Sequence, residues 1–405
     1  MRSLALSFSL SLTFPMAQFR PHDLLILGGG IVGAGIARDA AMRGLSVALI
    51  DKHTVGWGTS SRSSRMIHGG IRYLELGDFH LVHEALAERA ILLRIAPHLV
   101  RPQPFLFVLD ALEYWEWFRV SAGVTLYRAL AGDRALGPHH PLTRDGLLKR
   151  EPLLAHAPLV GGALYQDAHG DDIGLVRSNI EAARATGRAL ILENVHPDIK
   201  LTEDGVVATL SRDLGLVAAK SLVLALGPWT DAVRREIGLP DREMVAGTKG
   251  CHITFALARL PLTYAIAMRH PDDHRVLFCV PEPDRNRVLV GTTDTETTES
   301  PDALTVGEGD VAYLLRAVRR LFPGQNLGAA DIEERWAGVR PLLKQTGKPS
   351  GRTREHLVLR EGKVITVAGG KLTTYRKMAA EVVAEVGQVL GMELAGCRTG
   401  DVLLP

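Results

Sequence analysis

The chain has 405 residues, of which 46% are apolar and 23% charged, and its formal net charge is +2. This composition is typical of a globular protein and excludes disordered and fibrous classes, while the small net charge and the lack of long Lys/Arg runs argue against a nucleic-acid partner. Because a chain of this length exceeds what one hydrophobic core usually serves, we expect two domains around a shared crevice.

The first residues are apolar but lack the features of an export signal. Only Arg2 supplies positive charge before the apolar run, and no A-x-A cleavage pattern follows. We therefore interpret residues 1–21 as an extension outside the fold and favour Met16 as the initiator. No apolar run reaches the roughly 18 residues of a transmembrane helix. The three cysteines are widely spaced without a metal-ligand pattern, which favours a reducing cytoplasm and predicts no metal site.

A strand, a glycine-rich turn and a helix follow. Residues 23–27 form an apolar run that leads into Gly28, Gly30 and Gly33, the pattern G-x-G-x-x-G. These glycines permit a sharp turn, the approach of a pyrophosphate and close packing of helix on strand. The next apolar run ends at Asp51, about 20 residues farther on, where an acid binds a ribose hydroxyl. The unit predicts dinucleotide binding, and its alternative is a tight turn in an unliganded α/β fold.

Helix and strand patterns continue beyond a Ser- and Gly-rich segment at 56–75. Apolar spacing predicts a helix over 81–95 and a strand over 105–109. The aromatic and basic segment 114–128 has two interpretations: a surface that rests in a bilayer interface, or a helix packed on the second domain.

The second half alternates helices and strands. We expect a helix over 174–186 and a buried strand over 221–226 that returns to the cofactor domain. A Pro/Asp/Asn-rich turn between 275–280 and 287–291 predicts a hairpin. Finally, 364–368 predicts a strand that leads through Gly369 and Gly370 into a helix from about Lys371.

The segment 56–75 alone would equally suit a flexible loop. Together with the glycine unit, its residues 59–75 resemble the FAD-dependent, quinone-linked glycerol-3-phosphate dehydrogenases of bacteria and mitochondria. The resemblance runs from about His22 to the end of the chain, because further segments match in the same order: 225–229 (ALGPW), 249–253 (KGCHI), 291–294 (GTTD), 338–341 (GVRP) and 369–376 (GGKLTTYR).

The resemblance implies an α/β fold with a Rossmann-type FAD-binding domain, like those of glutathione reductase and D-amino-acid oxidase, and an inserted antiparallel-sheet substrate domain. We expect the FAD domain at 22–95, 165–235 and 330–395, and the substrate domain at 96–164 and 236–329. Family members usually continue into a helical C-terminal domain, whereas this sequence ends at Pro405. Val32 and Asp51 stand where Asn and Glu are common in the family, and neither change affects the phosphate-turn argument.

The resemblance also assigns the contacts to FAD. The cofactor-binding residues that it implies are Gly28, Gly30, Gly33, Asp51, Thr59, Ser60, Ser64, His68, Gly69, Gly70, Gly227, Trp229, Gly370, Lys371, Leu372 and Thr373.

Oxidation of a phosphorylated secondary alcohol requires a hydride acceptor, a proton acceptor and positive charge. FAD is the hydride acceptor. The resemblance implies His252 as the proton acceptor, since a neutral imidazole accepts near pH 7, with Arg340 or Lys371 stabilising the developing alkoxide. Taken alone, His252 also fits a structural histidine on a strand. The resemblance also implies that the substrate is bound by further residues with cationic or hydroxyl groups: Arg72, Tyr73 and Arg354.

We therefore expect FAD-dependent oxidation of sn-glycerol 3-phosphate to dihydroxyacetone phosphate, with electrons passing to a membrane quinone. The expected location is the cytoplasm, with peripheral attachment to the inner face of the cell membrane. Two alternatives stay open: an amino-acid or 2-hydroxy-acid oxidase of the same superfamily, and a non-catalytic FAD-binding relative. The balanced charge disfavours a flavin-dependent RNA-modifying protein. The choice of quinone or oxygen as acceptor, and a homodimer, also stay open.

Overall fold

The glycine-rich turn ends the first strand of a largely parallel sheet. The computed structural model describes residues 21–111, 115–210, 214–344 and 356–405. The strands of this first sheet are β1 (His22–Leu27), β2 (Val47–Ile50), β7 (Ala189–Leu192), β8 (Pro197–Leu201), β9 (Val206–Leu210), β10 (Leu216–Leu224), β17 (His356–Glu361) and β18 (Val364–Gly369). Their order is β17-β18-β10-β1-β2-β7, and β9 joins β8 to β10. Since β1 lies between β10 and β2 in parallel pairing, its carboxyl end opens at the centre of the sheet.

A second sheet carries the other expected site residues. Its strands are β3 (Met66–Ile67), β4 (Val100–Asp110), β5 (His140–Thr143), β6 (Leu159–Gly170), β11 (Val245–Ala256), β12 (Ala265–Arg269), β13 (Val276–Glu282), β14 (Arg287–Gly291), β15 (Thr295–Glu296) and β16 (Ile332–Leu343). The main order is β15-β11-β14-β13-β12-β4-β6-β3, with β16 on β11 and β5 on β6. This sheet was expected to be antiparallel, but β12 pairs with β4 in parallel, so the sheet is mixed.

Helices pack on one face of the first sheet, whose other face packs with side chains of β9, and on both faces of the second sheet. They are α1 (Ile31–Met42), α2 (Phe79–Ile95), α3 (Glu116–Ala131), α4 (Arg144–Arg150), α5 (Asp172–Ala185), α6 (Thr230–Glu236), α7 (Glu308–Leu321) and α8 (Tyr375–Leu390). Helix α1 packs against α5 and α8, and their apolar side chains form one core with strands β1 and β2. Within the described ranges, no helix has both the length and the hydropathy needed to cross a bilayer.

Most of the expected elements are confirmed, with two differences. The hairpin of β13 and β14 is antiparallel as expected, and β10 returns to pair with β1. The last helix begins at Tyr375 rather than near Lys371, because Lys371 is extended and Leu372–Thr374 form a 3-10 turn. The domain boundaries stay a prediction. The segment after residue 330 was expected in the FAD domain, but its strand β16 pairs with β11 in the second sheet.

A buried ion pair joins α2 to the second sheet next to the segment 66–70. Arg89 in α2 donates to Asp167 in β6 at 2.6 Å, and both side chains are at most 1% exposed. The same carboxylate accepts from the Gly69 N–H at 2.9 Å and from the Tyr127 hydroxyl at 2.9 Å. Because removing one partner of a buried pair leaves an uncompensated charge, this cluster holds Gly69 firmly in place.

Candidate active site

A groove of about 360 Å³ runs along the carboxyl ends of the parallel strands. Ligands of open α/β sheets bind at this edge, where the chain turns from strand to helix. One wall comes from the segment after β2, another from the turn after β10, and the base from the glycine turn. The expected cofactor residues that line it are Gly28, Gly30, Asp51, Thr59, Ser60, Gly227, Trp229, Gly370 and Lys371.

The turn between β1 and α1 accepts only glycine at two of its positions. Gly28 has φ of +100°, and a Cβ there would lie 2.4 Å from the Ala225 carbonyl oxygen. A Cβ at Gly33 would lie 1.9 Å from the Gly28 carbonyl oxygen, so Gly33 sits behind the turn and sets the spacing of helix on strand. The turn before α1 therefore presents backbone without side chains to the groove at Gly28 and Gly30, as the phosphates of a dinucleotide require.

Asp51 closes the ribose end of this unit. Its carboxylate accepts from the Gly29 N–H at 2.6 Å and from the His53 N–H at 2.8 Å. Burial raises the pKa of Asp51, and these two donors oppose the rise. With a carboxylate in the groove wall and bare backbone at the turn, the residues present fit the ribose and pyrophosphate of FAD.

The segment 66–70 is held from two sides. Besides the bond from Gly69 to Asp167, the His68 carbonyl accepts from the Thr373 hydroxyl at 3.3 Å. A Cβ at Gly70 would lie 2.2 Å from the Tyr73 ring, which is why this left-handed residue is glycine. Ser64, His68, Gly69, Gly70, Leu372 and Thr373 thus flank the groove rather than line it.

His252 lies buried on β11, opposite Gly291 of β14. A Cβ at Gly291 would lie 2.2 Å from the His252 ring, so this glycine makes the space that the imidazole occupies. His252 Nε2 is 2.8 Å from the Ser64 hydroxyl, and its ring stacks on Trp336 at 5.4 Å between centroids. Burial, followed by the positive charges of Arg340 and Arg65, lowers the pKa of His252 to about 3. The imidazole is therefore neutral at physiological pH.

Arg340 lies on β16, whose pairing with β11 carries it to the same region. Its Nη1 donates to the Asp294 carboxylate at 2.9 Å, and its Nη2 donates to the Thr292 hydroxyl at 2.7 Å. A Cβ at Gly250 would lie 2.5 Å from Nη2, so glycine is needed there as well. The next residue, Pro341, lines the groove, whereas Arg340 and His252 do not.

Lys371 follows β18 and lines the groove. Its Nζ lies 4.6 Å from the centre of the Tyr73 ring, a cation-π contact. Tyr73 itself is 6% exposed and packs in the core around β6. Arg354 lies outside the described residues, as does the side chain of Arg72, whose backbone belongs to the 3-10 turn Ile71–Leu76.

Three side chains of the site were not among the expected site residues. Asp294 and Thr292 hold Arg340, and they belong to a segment, 291–294, that was noted for its resemblance without an assigned role. Trp336 stacks on His252 because the two residues pair in register across β11 and β16. Sequence reasoning had no signal for Trp336, since that register spans more than eighty residues of chain.

This fold and groove define a flavin-dependent oxidoreductase. The family model described as FAD dependent oxidoreductase matches residues 23–376. The chain is 34% identical over 394 residues to the aerobic glycerol-3-phosphate dehydrogenase of Staphylococcus haemolyticus, covering 94% of this chain and 70% of that protein. The corresponding enzyme of Staphylococcus saprophyticus is 35% identical over 390 residues, covering 93% and 70%. The chain therefore belongs to the aerobic glycerol-3-phosphate dehydrogenase family.

Solved structures agree with this assignment. The glycerol-3-phosphate dehydrogenase of Bacillus halodurans, complexed with FAD, matches with a TM-score of 0.74 and 29% identity, covering 95% of this chain and 68% of that one. The L-alpha-glycerophosphate oxidase of Mycoplasma pneumoniae, with FAD bound, has a TM-score of 0.73 at 19% identity and covers 96% and 100%. The second likeness shows the shared fold alone. The expected α/β fold and FAD as cofactor are confirmed.

The lowered pKa of His252 predicts a specific pH dependence of stability. An unfolded histidine is protonated below about pH 6.5, whereas folded His252 stays neutral down to about pH 3. Its stabilising contribution is therefore complete above about pH 6.5 and is lost as the pH falls toward 3, with a slope of about 1.4 kcal/mol per pH unit. We expect His252→Gln to remove that slope in urea unfolding between about pH 5 and 6.5. The exposed His80→Gln should retain it, and equal slopes for His252→Gln and the unmodified protein would contradict the burial argument.

Proposed function

We propose that this protein oxidises sn-glycerol 3-phosphate to dihydroxyacetone phosphate with FAD. The observation that carries the proposal is the neutral, buried His252, whose pKa the charge of Arg340 helps to lower, on the same sheet as Pro341, which lines a groove that fits FAD. The 34% identity to an aerobic glycerol-3-phosphate dehydrogenase supports the same substrate. An amino-acid oxidase site requires a single carboxylate clamp, whereas this region also contains Lys371.

FAD supplies the hydride acceptor when it is bound. His252 is proposed to accept the proton of the substrate hydroxyl, directly or through the Ser64 hydroxyl 2.8 Å away. Arg340 is one of the two charges that lower the pKa of His252. A substrate phosphate that pairs with Arg340 would offset this charge and raise the proton affinity of the imidazole when substrate is present.

Positive charge is proposed to orient the substrate. The planar guanidinium of Arg340 suits paired phosphate oxygens, and its bonds to Asp294 and Thr292 fix its plane. Lys371 lines the groove and is proposed to stabilise the developing alkoxide or to bind the phosphate. Tyr73, Arg72 and Arg354 stay proposed substrate contacts, and the cofactor contacts expected from the sequence stay proposals too.

The proposed reaction has a direct optical test. Purified holoprotein should be yellow, and anaerobic sn-glycerol 3-phosphate should bleach its flavin absorbance, because only this substrate has both a secondary alcohol and a phosphate for the cations. Glycerol, glycine and 2-hydroxyglutarate serve as controls and should leave the absorbance unchanged. Bleaching by glycine instead would move the protein to the amino-acid oxidases, and bleaching by no compound would identify a non-catalytic FAD-binding relative.

We further propose that the enzyme rests on a membrane surface and passes electrons to a quinone there. Helix α3 supports this proposal through its two unlike faces. Val124 and Tyr127 are buried against the second sheet, whereas Trp115 is 81% and Phe118 57% exposed at its start. Exposed aromatic side chains at one end of a helix suit the interface of a bilayer. The buried side chains thus support the interpretation of this segment as a packed helix, and the exposed aromatic side chains support the interpretation as a bilayer contact.

Sedimentation with phosphatidylglycerol vesicles tests the membrane proposal. The unmodified protein should sediment with the vesicles, and the double variant Trp115→Ser/Phe118→Ser should lose most of this binding because its apolar contact with the bilayer is gone. Leu216→Ser/Leu403→Ser is the control, since both leucines are more than half exposed elsewhere on the molecule. Equal sedimentation of the two double variants would argue against α3 as the contact.

A further inference from the structure

The carboxylate of Asp302 contacts both walls of the FAD groove. Asp302 lies in the segment between β15 and α7. Lys52 Nζ donates to both of its oxygens at 2.9 Å, and Trp229 Nε1 donates to Oδ2 at 3.0 Å. His53 Nε2 lies 3.5 Å from Oδ1.

The partners of Asp302 belong to opposite sides of the central strand. Lys52 and His53 follow β2, whereas Trp229 belongs to the turn Gly227–Trp229 after β10, and β1 lies between these two strands. All three line the groove, but Asp302 does not. The carboxylate therefore bridges the walls from outside the groove. The Lys52 ammonium strengthens the same bridge, because it lies 4.7 Å from the centre of the Trp229 ring.

The side chains that form this bridge are partly exposed to solvent. The side chains of Lys52 and Asp302 are 34% and 42% exposed. An ion pair at this exposure contributes little to global stability. Partial burial raises the pKa of Asp302, but the bonds from Lys52 and Trp229 outweigh it and hold the pKa below its usual value. The carboxylate is thus charged at physiological pH, and the bridge can open without unfolding the protein.

We propose that Asp302 is a cofactor-retention residue whose contacts with Lys52 and Trp229 clasp the groove walls and slow the release of FAD. The Asp302 clasp rests on the proposed function only through FAD binding and does not depend on which alcohol is oxidised. It has no part in the chemical step, because Asp302 lies outside the groove.

The rate of FAD release tests the Asp302 clasp. Asp302→Asn keeps the size of the side chain but loses the charge that pairs with Lys52. After dilution of the holoprotein, free FAD fluorescence should rise roughly three- to tenfold faster for this variant than for the unmodified protein. High NaCl should accelerate release from the unmodified protein and leave Asp302→Asn nearly unchanged, because salt screens the same ion pair.

Asp110→Asn is the matched control. Asp110 accepts two bonds from Arg320, at 2.7 and 2.9 Å, with side-chain exposures of 24% and 41%, and neither residue lines the groove. This variant should release FAD at the unmodified rate. A rate for Asp302→Asn within twofold of that control would overturn the proposal.

A second variant keeps the test independent of folding and of the catalysed reaction. Lys52→Met should also release FAD faster, and the double variant with Asp302→Asn should be no faster than the quicker single variant, since both break one contact. Fold-increases that multiply in the double variant would contradict a shared clasp. FAD still bound to Asp302→Asn should be bleached by glycerol 3-phosphate. Rapid release by the variant combined with no bleaching of the unmodified protein would support the clasp and overturn the proposed function.

Discussion

The site depends on the missing side chains of two glycines in the second sheet. Gly291 leaves the space for the His252 ring, and Gly250 leaves the space for the Arg340 guanidinium, with would-be Cβ contacts of 2.2 and 2.5 Å. The imidazole can therefore occupy the space next to Gly291, and the guanidinium the space next to Gly250, while the strands stay paired. A side chain at either position would have to displace the imidazole or the guanidinium, because protein interiors are close-packed.

The two sheets meet through contacts that align this pair with the groove. The Thr59 hydroxyl donates to the Val339 carbonyl at 2.7 Å, which ties the start of the Ser-rich segment to the strand that carries Arg340. On the far side, the buried Arg89–Asp167 pair fixes Gly69. A buried pair of this kind stabilises weakly in net terms, but losing one partner is costly, so it favours one arrangement of the segment over others.

Local patterns in the sequence predicted the first sheet well. The glycine turn and Asp51 were recognisable because their spacing follows from one strand, one turn and one helix. The hairpin of β13 and β14 was likewise marked by its turn residues. Features set by long-range register were not predictable, among them the Trp336 stack on His252 and the place of β16 in the second sheet. The bridge from Asp302 to Trp229 has the same origin, since it joins segments from different sheets.

The Arg340 guanidinium is proposed to bind the substrate, and kcat/KM for glycerol 3-phosphate reports on that contact. We predict that Arg340→Ala lowers kcat/KM by an amount that corresponds to a loss of about 3–5 kcal/mol of transition-state binding free energy. The FAD content of the variant should be unchanged. Arg335→Ala is the control, because Arg335 lies on the same strand, is 52% exposed and pairs with Glu308. An unchanged kcat/KM for Arg340→Ala would show that Arg340 does not bind the substrate.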